Sequence, residues 1–123
     1  MHSFMSHTAL RLAFVSAFAL GCGAVDDVIP PGGSCNIPSA YACNDFNGTA
    51  WRTPTTGSRA CAMVGNGATY SESSCATANR VGSCRVQPGT AQELTVRYYR
   101  PSTAATAQGA CSATGATSIF TAN

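Results

Sequence analysis

The chain of 123 residues contains no lysine, and its two histidines, His2 and His7, both lie close to its start. A domain exported without that start has neither side chain to work with. This excludes serine or cysteine nucleophiles activated by a histidine base, histidine-ligated zinc and lysine Schiff-base chemistry. Acids are equally scarce. Asp26, Asp27, Asp45, Glu72 and Glu93 are the full set, too scattered for the paired carboxylates of glycoside hydrolysis. No Cys-x-x-Cys pair occurs, so a zinc site made of cysteines alone lacks its usual spacing. No enzyme activity, cofactor or metal is therefore expected. The seven arginines are dispersed along the chain, without the clustered basic face of a nucleic-acid binder. No apolar run approaches the roughly 20 residues that a membrane-spanning helix needs.

What the chain does have begins with an address. Residues 1–21 read as a lipoprotein signal peptide, with Arg11 supplying the charge and LAFVSAFAL, residues 12–20, the apolar core. Ala19-Leu20-Gly21-Cys22 resembles the bacterial lipobox, in which the cysteine receives a lipid and becomes the first residue of the mature protein. It departs from that pattern at Ala19, where leucine is usual. Ordinary cleavage, for instance after Ala24, is the alternative. Cysteine arithmetic favours lipidation, because setting Cys22 aside leaves six cysteines, an even number. Several acyl chains on Cys22 would together hold the protein on a membrane. The resemblance to sorting signals, with Gly23 where an aspartate would retain the protein at the inner membrane, implies the outer membrane; secretion is the alternative. Residues 22–34 then comprise the lipidated cysteine and a flexible tether, GAVDDVIPPGGS, rich in proline, glycine and acid.

Residues 35–123 are expected to form a disulfide-rich domain. At about 90 residues its hydrophobic burial alone gives marginal stability, and a cysteine-dense exported chain commonly makes up the difference with disulfides. Its cysteine pattern suggests two degenerate repeats, residues 35–74 and 75–123. Ser34-Cys35 and Ser74-Cys75 open them, Cys43 and Cys84 follow, and Ala60-Cys61 to Gly65 matches Ala110-Cys111 to Gly115 at an offset of fifty. Glu93 to Arg100, ELTVRYYR, alternates as a half-buried strand, and Gln87-Pro88-Gly89-Thr90 carries the turn chemistry that joins it to a strand at Val81 to Val86. Pro101 ends the strand. Ser102 or Thr103 caps a helix with Ala104, Ala107, Ala110 and Cys111 on its buried stripe, and Gly115 stops it. The first repeat carries a helix at about Thr55 to Val64, stopped at Gly65-Asn66-Gly67, and a return strand at Ala68 to Ser71. The expected fold is α+β, a small disulfide-stabilised antiparallel sheet with two short helices. Six cysteines allow fifteen pairings. If equivalent cysteines do equivalent work, Cys43 joins Cys61, Cys84 joins Cys111, and Cys35 joins Cys75 across the repeats.

One strand offers a candidate binding face. Arg97 and Tyr99 alternate on one side of it, with Trp51 and Arg52 as counterparts in the first repeat, and arginine and aromatic side chains are enriched where proteins bind. The plainer reading has the aromatics covering the core and the arginines solvating the sheet. Val81-Gly82-Ser83-Cys84, Tyr98-Tyr99, Ala107 to Cys111 and Gly115 together resemble a pattern found in small cysteine-repeat lipoproteins and secreted proteins of Gram-negative bacteria. The second repeat matches well and the first poorly, since Ala40-Tyr41-Ala42-Cys43 lacks the Val-Gly-x-Cys element. The resemblance implies a fold type and a location but no mechanism. The expected role is a structural or binding module of the cell envelope, held to the membrane by its lipid and partnered by an envelope protein or glycan. One alternative is a small secreted protease inhibitor presenting the loop Gln87 to Gln92. A second is a carbohydrate- or peptidoglycan-binding module using the Arg/Tyr strand.

Overall fold

A computed structural model describes residues 32–53 and 55–123. The signal peptide, Cys22 and most of the tether lie outside the described residues. Six strands form one antiparallel sheet: β1 (Ser34–Ile37), β2 (Ala42–Phe46), β3 (Thr69–Ser71), β4 (Arg80–Val86), β5 (Leu94–Tyr99) and β6 (Ile119–Ala122). Helix α1 (Thr56–Val64) lies between β2 and β3, and α2 (Ala104–Thr114) lies between β5 and β6. Across the sheet the order is β3-β1-β2-β5-β4-β6. The sequence strand, strand, helix, strand thus occurs twice, and each time the first strand pairs with both other strands of its half. The halves meet at β2 and β5, paired from Ala42 opposite Tyr98 to Phe46 opposite Leu94.

Local sequence accounts for most of these boundaries. The Thr103 hydroxyl accepts a hydrogen bond from the Thr106 amide, satisfying one of the unpaired donors that open α2. Gly65 and Gly115 end the two helices at positive φ, which a side chain disfavours. Ala107 and Cys111 are buried on α2, while Ala104 and Ala110, expected on the same stripe, are exposed. Such a helix buries only a narrow line of small side chains. Gly32, Gly33 and Ser34, which composition groups with the tether, are packed into the domain. Gly32 donates its amide to the Phe46 carbonyl at 3.1 Å, and the Gly33 carbonyl accepts from Phe46 at 3.0 Å. A Cβ on Gly57 of α1 would stand 2.3 Å from the Gly32 oxygen, so the helix can touch the entering chain only because a glycine is there.

Both helices cover the same face of the sheet, above two apolar clusters. One gathers Ala42, Cys84, Tyr98, Ala107 and Cys111; the other gathers Cys35, Phe46 and Cys61, with Trp51, Tyr70 and Leu94 against it. Among the described residues, six of the ten buried apolar ones are cysteines, and Cys35, Cys61, Cys84 and Cys111 are the largest side chains wholly removed from solvent. Sulfur is therefore the main filling of this core.

The disulfides are Cys35–Cys61, Cys43–Cys75 and Cys84–Cys111, with Cα separations of 5.4, 5.9 and 5.5 Å. The Cys84–Cys111 expectation holds, whereas Cys43–Cys61 and Cys35–Cys75 do not form. The reason is strand parity. Cys35 on β1 faces the helices, while Cys43 stands opposite Asn36, the neighbour of Cys35, and so points to the other face. Only a helix-facing cysteine can reach α1, and Cys35 is thereby the positional counterpart of Cys84, each on the first strand of its half. Ser74-Cys75 opens no strand; it lies in the connector 72–79, and the second half begins at Arg80.

Trypsin leaves Cys35 with Cys43 and Cys61 with Cys75, but cleavage after Tyr41 by chymotrypsin and after Met63 by cyanogen bromide separates all four. Mass mapping of the non-reduced digest is expected to show Cys35 joined to Cys61 and Cys43 joined to Cys75. A peptide joining Cys43 to Cys61 would contradict the fold.

Candidate functional site

The sheet face opposite the helices carries the polar members of each strand. Residues 72–79 must travel from the β3 edge to β4, four strand spacings away, or about 19 Å. Eight residues reach at most about 26 to 29 Å when fully extended, so the connector can cross the face as a strap with length to spare for the bends at 72–73 and the turn at 78–79. It is tied down along its length. The Ser34 hydroxyl donates to the Ser73 carbonyl at 2.6 Å, the Cys75 amide donates to Asp45 Oδ1 at 2.8 Å, and the Tyr99 hydroxyl donates to the Ala76 carbonyl at 2.7 Å. The Cys43–Cys75 disulfide makes the attachment covalent.

Beneath the strap sits an ion pair. Arg97 Nε donates to Asp45 Oδ2 at 3.0 Å, and its Nη1 donates to the Ser83 hydroxyl at 2.9 Å. The Asp45 side chain is 4% exposed and the Arg97 side chain 27%. Burying a carboxylate is costly unless its lone pairs are used, and here one oxygen takes the guanidinium and the other the strap. Tyr99 is held next to them. Burial pushes its phenol above the ordinary tyrosine range, and the neighbouring Arg80 guanidinium pulls it back in part.

The strap leaves a cleft on each side. One, of about 330 Å³, is lined by Ser34, Asn36, Ser71, Ser74, Tyr99 and the Cys43–Cys75 bridge. The other, of about 300 Å³, is lined by Arg80, Ser83, Arg85, Thr95, Arg97, Thr121 and Asn123. Strand register explains the second. Ser83 stands between Arg97 and Thr121 in one row across β5, β4 and β6, and Arg85 stands beside Thr95 in the next, so hydroxyls line the cleft between guanidinium groups. Arg85 is held at the rim by Glu93, with Nη2 and Nε at 2.5 and 3.1 Å from Oε1.

The four residues of the expected binding face do not come together. Arg97 and Tyr99 lie under or beside the strap, Arg97 bonded through Nε and Nη1 and Tyr99 through its hydroxyl. Trp51 is on the helix side, its ring 4.8 Å from Phe46 and its indole N–H donating to the Glu93 carbonyl at 3.1 Å. Arg52 is exposed beside Trp51. Arg80, Ser83, Arg85 and Thr121 complete the cleft instead. The alternation of β4 offers Ser83 and Arg85 as one face; nothing in the local pattern points to Arg80. The loop 87–92 is fixed by Thr90 bonding back to the Gln87 carbonyl and by Glu93 Oε1 accepting the Gly89 amide at 3.2 Å. Cys84 precedes it, and its bridge to Cys111 encloses the loop only within a ring that also contains β5 and most of α2. Among the described residues, no three of histidine, cysteine, aspartate or glutamate come together as a metal site. Comparison with family models, curated proteins and solved structures finds no match to this chain.

The two members of the ion pair are not interchangeable. Removing Arg97 leaves a buried carboxylate that cannot reach solvent, whereas removing Asp45 leaves a guanidinium that can turn outward. Arg97→Ala is expected to cost about 3 kcal/mol, and Asp45→Asn about 1 to 2 kcal/mol, in denaturant unfolding under oxidising conditions. Equal losses would show that burial of Asp45 is not what the pair offsets.

Proposed function

We propose that the protein is an exported lipoprotein of the cell envelope, held by lipid on Cys22, whose folded domain is a binding module without catalysis. The observation that carries this reading is the cysteine count. The six cysteines from Cys35 to Cys111 pair among themselves, which leaves Cys22 as the one thiol without a disulfide partner in the chain. Three disulfides also suit an oxidising compartment. The order of segments fits the same reading: an apolar leader, the small residues before Cys22, a short acidic proline-rich stretch, then a domain. Gly23 favours the outer membrane over retention at the inner one.

The binding role draws support from the strapped face. A connector held by a disulfide, a buried ion pair and side-chain hydrogen bonds to its backbone presents its flanking clefts with little freedom to rearrange, and preorganisation of this kind lowers the cost of binding. The inhibitor alternative draws on the fixed loop 87–92 but lacks bridges on both sides of it. The glycan-binding alternative draws on Arg97 and Tyr99, which share one face of β5, but Trp51 lies on the opposite face of the sheet and adds no aromatic to them.

Metabolic labelling with a fatty-acid analogue in a Gram-negative host tests the address. Label is expected on the wild type and absent from Cys22→Ser, which should appear unlabelled and detached from membranes. An unlabelled wild type with unchanged distribution of Cys22→Ser would remove the lipoprotein reading.

A further inference from the structure

Strand β4 contains one irregularity, and it decides where Arg80 points. From Cys84, which faces the helices, regular alternation places Gly82 and then Arg80 on the helix side. The pairing with β5 slips between Arg80 and Gly82. Val81 is the extra residue, and it packs against the apolar cluster that contains Cys84. The slip reverses the parity beyond it. Arg80 stands opposite Tyr99, on the face of Arg97, Ser83 and Arg85, and lines the same cleft. Bulges recur where a strand must re-aim a side chain, and they interrupt the ladder to do so.

The re-aimed arginine is underused by the fold. Its Nη2 donates to the Ala76 carbonyl at 2.8 Å and, more weakly, to the Cys75 carbonyl at 3.4 Å. Its Nε is buried and has no hydrogen-bond partner among the described residues, a state that buried polar groups rarely occupy. The charge count points the same way. Arg97 is neutralised by Asp45 and Arg85 by Glu93, while Arg80 has no carboxylate within ion-pair distance among the described residues. Three guanidinium groups on neighbouring positions of one sheet face repel each other, and counting side chains alone the cleft they surround carries one positive charge in excess, with the carboxylate end of Asn123 on its lining but within ion-pair distance of none of the three. The hydroxyls of Ser83, Thr95 and Thr121 add donors to it.

We propose that the cleft between Arg80, Arg85 and Arg97 binds an oxyanionic group, a carboxylate or a phosphate. Guanidinium donors recognise both chemistries through charge-assisted hydrogen bonds, and a cleft of about 300 Å³ admits the group with a small portion of what carries it. The bulge at Val81 brings in the third arginine, the anion supplies Arg80 with the ion-pair partner that the fold does not, and the hydroxyls between the arginines set its position. This rests on reading the domain as a binding module and names the chemistry of what it binds.

The test uses the full-length protein purified from membranes in detergent, labelled with ¹⁵N at arginine. Inorganic phosphate is titrated in one arm and acetate in the other, with ionic strength held constant by sodium chloride. Saturable shifts of the Arg80 and Arg85 side-chain N–H resonances are expected in at least one arm, and the tighter arm identifies the group as phosphate or carboxylate. Arg85→Gln, at an exposed rim position, is expected to weaken binding about tenfold. Thr121→Glu, which places a carboxylate inside the cleft from an exposed position on the edge strand, is expected to abolish it. Non-saturating shifts in both arms would overturn the proposal, as would saturable binding that neither substitution alters. Fatty-acid labelling of the same preparation reports the lipoprotein reading separately, so failure of one is not mistaken for failure of the other.

Discussion

The Asp45 carboxylate is the interaction on which the rest of this structure depends. It is nearly sealed from solvent, and its two oxygens are given to different parts of the chain: Oδ2 to Arg97 on β5 and Oδ1 to the Cys75 amide in the strap. Asp45 itself belongs to β2, so the first half, the second half and the connector meet at one group. An ion buried in this way destabilises a protein unless every partner is in place. That requirement fixes the register of β2 on β5 and the course of the strap together. Cys43, two residues earlier on the same face, then locks the strap covalently.

On the opposite face stability comes from a different source. The core contains few large apolar side chains, and its most deeply buried members are the cysteines of the two strand-to-helix bridges. In the chain-entropy picture each bridge contributes about 2 to 4 kcal/mol by restricting the unfolded chain, which is comparable to the whole stability of a domain this size. The helices accordingly need little amphipathic character. Helix α2 holds to the sheet through Ala107 and Cys111, with solvent around most of its remaining residues. Each half has its own staple, and the third disulfide belongs to neither half alone.

Much of this was legible in the residues. Alternation in ELTVRYYR placed β5, one of the two hydroxyl residues before Ala104 capped α2, Gly115 stopped it, and Cys84 paired with Cys111 as the strand-to-helix staple that the repeat suggested. Two of the failures share one physical origin, the parity of a strand relative to its neighbours. Cys35 and Cys43 are both strand cysteines, and only the register of β1 on β2 shows which of them faces α1. Arg80 changed faces through a bulge that hydrophobic period does not reveal. Trp51 and Tyr99 are each an aromatic followed by arginine, yet one covers the core and the other lies beside the strap. Gly32 to Ser34 have the composition of a linker, and their burial follows from Phe46 and Tyr70 closing over them.

Amide hydrogen exchange on the paired Cys43→Ser/Cys75→Ser variant, compared with the wild type, tests most directly the claim that two separately stapled halves are joined through Asp45 and a tethered strap. Faster exchange is expected at the Cys75 amide and along the β2–β5 ladder, with protection retained in α1, α2 and the β4–β6 pairing. Equal loss of protection throughout both halves, or no change at the Cys75 amide, would contradict the account.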